Sequence, residues 1–239
     1  MVFDDTIAAI STPLGEGGLA VLRLSGPRAL AIADQCFVPR GRSSQRPLEA
    51  PTHTLHYGEL RREGRRVDEV LLAVMRAPRT YTGEDVVEIS CHGGLLAARL
   101  ALETLLAAGA RLAHPGEFTR RAFLNGRLDL TQAEAVADVI HARTELALTA
   151  AQEQLAGKLA QRIRQLRQDL LHTLAHIEAH LDFPEEDIAP DSREQLGARL
   201  EAARHSCRSC CAPPAKADCC GRAFAPPSWA VPMWANPRC

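Results

Sequence analysis

Cysteine is almost missing from most of this 239-residue chain. Only Cys36 and Cys91 fall in the first 205 residues, while Cys207, Cys210, Cys211, Cys219, Cys220 and Cys239 crowd the end. Tryptophan is absent until Trp229 and Trp234. The last 34 residues therefore belong to a different composition class. A net charge of −1 provides no global basic field to advertise nucleic-acid binding. No run of about 18 apolar residues exists, which excludes a membrane-spanning helix. The opening MVFDDTIAAIST is acidic and lacks a basic n-region before an apolar core, so no signal peptide is expected and the expected location is cytoplasmic. No dinucleotide fingerprint is present either. Gly15-x-Gly17-Gly18 has the wrong spacing, and no predicted helix follows it directly.

The most informative stretch is Tyr81 to Gly94, YTGEDVVEISCHGG. Thr82-Gly83 breaks the chain. Val86, Val87, Ile89 and Cys91 suit a strand buried on at least one face. Strand side chains alternate, so Glu88 points away from Ile89 and Cys91, together with Val86 and Ser90. A carboxylate there needs a partner, because an unpaired buried charge is costly. His92-Gly93-Gly94 then turns tightly into a helix.

The chain before it reads as a short strand from Asp5 to Ser11, a glycine-rich turn and a strand LAVLRL from Leu19 to Leu24. Arg23 shares a face with Leu19 and Val21. Its guanidinium either pairs with a neighbouring carboxylate or receives an anionic or carbonyl-bearing ligand. Ser25-Gly26-Pro27 starts a helix that runs to about Cys36. Residues 39–52 form a polar loop. His53 to Leu60 and Val67 to Met75 form a hairpin with a longish charged loop from Arg61 to Arg66. The helix from Gly94 to about Ala108 has a core-facing stripe centred on Leu96, Leu100 and Leu106, widened by Leu95, Leu102 and Leu105, and Gly109 ends it. Thr119 caps a short helix from Arg120 to Leu124. This order of strands and helices predicts an α+β fold with a mostly antiparallel or mixed sheet.

From Leu128 the pattern is helical. Thr131-x-x-Glu134 reads as a capping box. Leu155, Leu159, Ile163, Leu166, Leu170, Leu174, Ile177 and Leu181 keep one apolar stripe along a helix of about 40 Å. Such a helix must pack on other helices or on a partner chain. His172, His176 and His180 line one face, where a solvated row outweighs a metal site. Phe183-Pro184-Glu185-Glu186-Asp187 ends the helix as acidic punctuation, and a last helix runs from Ser192 towards His205. No metal ligand set is predicted.

Long ordered segments now carry a resemblance. DTIAAISTPLGEGGLAVLRLSG, YTGEDVVEISCHGG, HPGEFTRRAFLNGRLDLTQAEAVADVIHA and LDFPEED make residues 1 to about 205 resemble the tRNA-modification GTPase MnmE (TrmE) family. The resemblance implies an N-terminal folate-binding and dimerisation domain, similar to that of aminomethyltransferases, over residues 1–119. It implies part of a helical domain over 120–205. It also implies a homodimer that acts on tRNA with an FAD-dependent partner of the MnmG (GidA) kind, modifying C5 of the wobble uridine. A tetrahydrofolate derivative, 5-formyl- or 5,10-methylene-, would supply the one-carbon unit. GTP, Mg²⁺ and K⁺ belong to the family's G domain. The family's folate-contacting positions fall on Arg23, Glu88 and Arg127, the last often lysine. A carboxylate such as Glu88 can accept a pterin N–H and amino group side by side, and arginines suit carbonyls and glutamate-tail carboxylates. No catalytic residue is identified.

Residues 206–239 do not continue the resemblance. Started one base earlier, Cys210-Cys211 and Cys219-Cys220 each yield leucine. Trp229-Ala230 and Trp234-Ala235 each yield glycine, and Met233-Trp234 yields valine. That frame is compatible with G-R-P-N-V-G-K-S-S, a phosphate-binding loop. The expectation is an out-of-frame, disordered tail in a truncated chain with no in-frame phosphate loop and no GTP hydrolysis. The competing reading of the tail is a zinc module, although it lacks two clean C-x-x-C pairs. The competing functions are a ligand-free dimerisation scaffold and a stand-alone folate-dependent one-carbon transferase.

Overall fold

The computed structural model describes residues 3–13, 15–41, 45–182 and 193–211. The chain divides into two compact units, residues 1–133 and 134–239. The acidic turn at 183–187 and the tail beyond Cys211 lie outside the described residues.

The first unit is built on a seven-stranded sheet. Its strands are β1 (Ile7–Ile10), β2 (Leu19–Ser25), β3 (Phe37–Pro39), β4 (Thr54–Arg62), β5 (Arg65–Met75), β6 (Val86–His92) and β7 (Arg111–Leu112). They lie in the order β3-β4-β5-β6-β2-β1-β7. Every pairing is antiparallel except β1 with β7, which is parallel, so the sheet is mixed and the fold is α+β. β3 falls at the start of the expected polar loop, where Phe37 is buried. Alternation puts Leu22 and Leu24 of β2, Val87 and Ile89 of β6, and Leu72 and Val74 of β5 on one buried face. Helices α1 (Ala29–Cys36) and α2 (Leu95–Ala107) pack on it.

α2 is turned differently from the expected leucine stripe. Ala98, Ala101, Thr104 and Leu105 are buried, while Leu95 and Leu96 are 59% and 68% exposed. Leucines occur on most sides of this helix, so periodicity could not choose its face. The two alanines let the helix backbone come close to the sheet, and close packing decides. Gly109, at φ 105°, follows the helix as expected.

The β4–β5 hairpin is tighter than predicted. Pairing continues to Arg62 with Arg65, leaving only Glu63 and Gly64 in the turn, at φ 52° and 77°. Two positive φ values match the strand twist, and glycine accepts one without strain. The arginines around this turn are held by Glu59, which is buried and lies 2.5 Å from Arg40, 2.7 Å from Arg61 and 3.5 Å from Arg66.

Two predicted helix starts shift. α3 (Glu117–Leu124) begins after Gly116, so Thr119 lies inside the helix, and its hydroxyl meets Tyr81 Oη at 2.9 Å instead of capping. α4 (Leu130–His141) starts on a reciprocal box two residues earlier than expected. Asp129 Oδ1 accepts from the Gln132 amide at 2.9 Å, and Gln132 Oε1 accepts from the Asp129 amide at 2.9 Å.

In the second unit the expected long helix begins later than its stripe, because Leu155 falls on a separate, preceding helix. α5 (Glu145–Leu155), capped by Thr144, ends before Gly157 at φ 78°, and α6 (Lys158–Asp182) follows. The stripe's spacing carries across the break because a glycine interrupts the helix without changing the pattern of leucines. α7 (Arg193–Cys211) packs against α6, as does α5. No helix among the described residues is long and apolar enough to cross a membrane.

Candidate functional site

The face of the sheet opposite α1 and α2 holds the candidate site. Arg23 on β2 lies directly across from Glu88 on β6. Arg23 donates from Nε at 2.8 Å and lies 2.7 Å away through Nη2, both to the same oxygen, Glu88 Oε1. Oε2 of Glu88 has no hydrogen-bond partner among the described residues. Register sets Ala9 beyond Arg23 and Ala73 beyond Glu88. The row Ala9, Arg23, Glu88, Ala73 is therefore small–charged–charged–small, which leaves room above the pair. Both charged side chains are roughly a quarter exposed, at 26% and 29%.

Two aromatic rings flank the guanidinium. The ring centroids of Tyr81 and Phe118 lie 5.2 Å and 5.7 Å from Arg23 Cζ, within cation–π range. Arg23 is thus held by a carboxylate and two rings, and Glu88 is held by Arg23. On the same face Leu19, Leu55, Tyr57 and Leu71 are between 40% and 66% exposed.

Residues 80–84 tie this pair to α3. Tyr81 reaches Thr119, Asn125 Nδ2 donates to the Thr82 carbonyl at 2.8 Å, and Arg127 Nε donates to the Thr80 carbonyl at 3.0 Å. The structure therefore brings Arg23 and Glu88 into contact. Arg127 joins the same loop one residue from Tyr81 and pairs with Thr80 rather than with either of them.

Beneath the loop is an ion cluster that sequence reasoning missed. Arg121 is fully buried. Its Nη2 donates to Asp5 Oδ1 at 2.6 Å and Glu117 Oε1 at 3.2 Å, and its Nη1 donates to Glu84 Oε1 at 3.3 Å. The Phe3 ring centroid is 4.4 Å from its Cζ. Arg111 adds bonds of 2.6 Å to both Asp5 and Glu117. Glu84 also accepts from Ser25 Oγ at 2.6 Å, and Ser25 Oγ lies 2.6 Å from Thr82 Oγ1. The cluster joins Asp5 just before β1, Ser25 of β2, Arg111 of β7, α3 and the 80–84 loop. The sequence signal was the charge density of HPGEFTRR, but its partners are far away along the chain.

The hydrogen bond from Arg111 is the largest influence on Glu117, and it holds that carboxyl at about 2, below the ordinary 4.5, against the opposing effect of burial. A pKa lowered by folding stabilises the native state above the unfolded value, and the gain is lost as pH falls through the folded value. The Glu117 contribution is therefore complete above about pH 4.5 and disappears towards pH 2. Urea midpoints measured across that window should fall with pH, and E117Q should flatten the slope.

A second titratable pair sits elsewhere on β5 and β6. Asp68 accepts from the His92 amide at 2.8 Å and lies 2.7 Å from His92 Nδ1. Burial, and then Asp68, pushes the neighbouring Cys91 thiol up to about 11, and burial also raises Cys36. At pH 8 a maleimide should leave Cys36 and Cys91 unmodified in the folded chain and modify the exposed Cys207. Gly93 packs so tightly on Gly17 that a Cβ there would collide with the Gly17 carbonyl. Among the described residues no group of three or more His, Cys, Asp or Glu side chains could hold a metal, and the side chain of His180 lies outside them.

An α+β unit joined to a helical one is the class this architecture defines, and comparison with known proteins divides the chain near the same point. Residues 6–127 match the family model "GTP-binding protein TrmE N-terminus", and residues 130–218 match "MnmE helical domain". The chain belongs to the MnmE (TrmE) family. It is 56% identical over 194 residues to the tRNA modification GTPase MnmE of Geobacillus kaustophilus, covering 80% of this chain and 42% of that protein. It is 51% identical over 203 residues to that of Listeria innocua, covering 84% and 44%. For Bacillus subtilis the figures are 50% over 195 residues, covering 80% and 42%. The chain thus spans less than half the length of these relatives.

Proposed function

We propose that the first unit binds a tetrahydrofolate derivative over the Arg23–Glu88 row, and that the chain serves MnmE-like modification of the tRNA wobble uridine at C5. The observation that carries this reading is the free oxygen of Glu88. Arg23 occupies Oε1 and fixes the carboxylate, while Oε2 remains to accept from a pterin amino or N–H group. The small residues Ala9 and Ala73 leave space for a flat ring, and Tyr81 and Phe118 offer it aromatic neighbours. Arg127 is exposed while its Nε is anchored on the carbonyl of the buried Thr80, and its guanidinium suits a glutamate-tail carboxylate.

In the same reading residues 1–119 form the folate and dimerisation domain. The exposed Leu19, Leu55, Tyr57 and Leu71 on the site's face supply apolar area for a homodimer. The FAD-dependent partner, tRNA and a cytoplasmic setting follow from the family. GTP, Mg²⁺ and K⁺ are assigned to the G domain of longer family members, since these 239 residues contain no G-x-x-x-x-G-K-[ST] sequence. Residues 206–239 are read as out of frame, and sequencing the coding DNA around His205 decides it: an uninterrupted frame whose shifted reading lacks a phosphate loop removes that reading.

Calorimetric titration with 5-formyltetrahydrofolate tests the site. Binding by the parent chain and its weakening in E88A are expected. A parent chain that binds nothing would favour the ligand-free scaffold instead.

A further inference from the structure

We propose that Ser25 and Thr82 are positioning residues for the Arg23–Glu88 site: a closed ring of hydrogen bonds through their hydroxyls holds Tyr81 against Arg23. Both side chains are fully buried. Ser25 follows Arg23 by two positions on β2, so the two share a face of the sheet. Ser25 Oγ donates to Glu84 Oε2 at 2.6 Å. That commits its one proton, so in the 2.6 Å contact between the hydroxyls Thr82 Oγ1 is the donor. Thr82 Oγ1 in turn accepts from the Glu84 amide at 3.3 Å. The ring starts and ends on Glu84, and each hydroxyl in it donates once and accepts once. Arg121 holds the same carboxylate at its other oxygen, at 3.3 Å.

The consequence falls on Tyr81. It is half-buried between Thr80 and Thr82, which are both buried, so the loop is pinned on either side of it. Thr80 Oγ1 donates to the Glu84 carbonyl at 2.7 Å. The Tyr81 ring meets Arg23 at 5.2 Å, and its hydroxyl lies 2.9 Å from Thr119. Those contacts orient the ring, whereas the buried bonds on either side fix the backbone that carries it. A polar network with every member satisfied rigidifies its segment. Valine at position 82 would keep the branched shape. It would leave Ser25 Oγ without its donor and the Glu84 amide without its acceptor, which is costly for buried groups. The loop would then release Tyr81 from Arg23.

The full chain labelled with 3-fluorotyrosine tests this, because Tyr57 and Tyr81 are its two tyrosines and give two ¹⁹F resonances. T82V should move the Tyr81 resonance towards its position in the unfolded chain and leave that of Tyr57, on β4, in place. T82S keeps the hydroxyl and should leave both unchanged. S25A opens the ring from β2 and should reproduce the T82V change, so the role is read even where T82V unfolds. The binding arm rests on the folate reading. There T82V should weaken binding of 5-formyltetrahydrofolate by about fivefold, the scale of one aromatic contact, and should cost nothing further in a Y81A background. A Tyr81 resonance unmoved in T82V and S25A would overturn the proposal, as would an equal loss of affinity with and without Tyr81. A parent chain that binds no folate yet shows the resonance change keeps the positioning role and removes the folate reading alone.

Discussion

Replacing Arg121 with alanine is expected to lower the stability of the first unit by about 3 kcal/mol, the lower end of what removal of one partner from a buried ion cluster costs. Glu84 and Glu117 would remain little exposed, and Glu84 would lose its arginine. Arg111 would still bind Asp5 and Glu117, which keeps the loss from being larger. The damage should not be uniform. Amides around Asp5, of α3 and of residues 80–84 should gain hydrogen exchange first, because Arg121 joins those three segments. Urea denaturation measures the total and exchange mass spectrometry locates it. Loss confined to the β4–β5 hairpin would contradict the role given to the cluster.

The second large effect concerns the ligand. E88A should weaken binding of 5-formyltetrahydrofolate by about 10- to 150-fold, the equivalent of about 1.5–3 kcal/mol for a hydrogen bond to a charged group. R23A should weaken it as well, since Arg23 orients the carboxylate through Oε1. The double variant should lose less than the two single losses combined, because the residues act as a unit. Calorimetry on the four proteins supplies the cycle. Strictly additive losses would mean that each residue meets the ligand independently.

Much of this geometry was legible in the sequence. Alternation in VVEISCH put Glu88 opposite Ile89 and Cys91 in facing, and alternation in LAVLRL did the same for Arg23, so both belong to one face once β2 pairs with β6. What alternation cannot supply is register, and register makes the two a direct cross-strand pair with alanines on either side. The aromatic neighbours were hidden for another reason. Phe118 comes from α3, and its meeting with Arg23 depends on how that helix is tethered through Tyr81 and Thr119.

The ion cluster was illegible because its bonds span long separations: Arg121 reaches Glu84 across 37 positions and Asp5 across 116. No local pattern marks such a partner. The errors in α2 and at Gly157 have a common origin. Periodicity does not discriminate where leucine is this frequent, and small residues decide both outcomes. Ala98 and Ala101 chose the buried face of α2, and Gly157 divided α5 from α6.

The account rests on a folate ring lying over Arg23 and Glu88, beside Tyr81 and Phe118. Nuclear Overhauser contacts from the pteridine protons of bound 5-formyltetrahydrofolate to selectively labelled tyrosine and phenylalanine rings test this directly. The expected result is contact with Tyr81 and Phe118, abolished in Y81A and F118A respectively. Bound folate that contacts neither ring would contradict it.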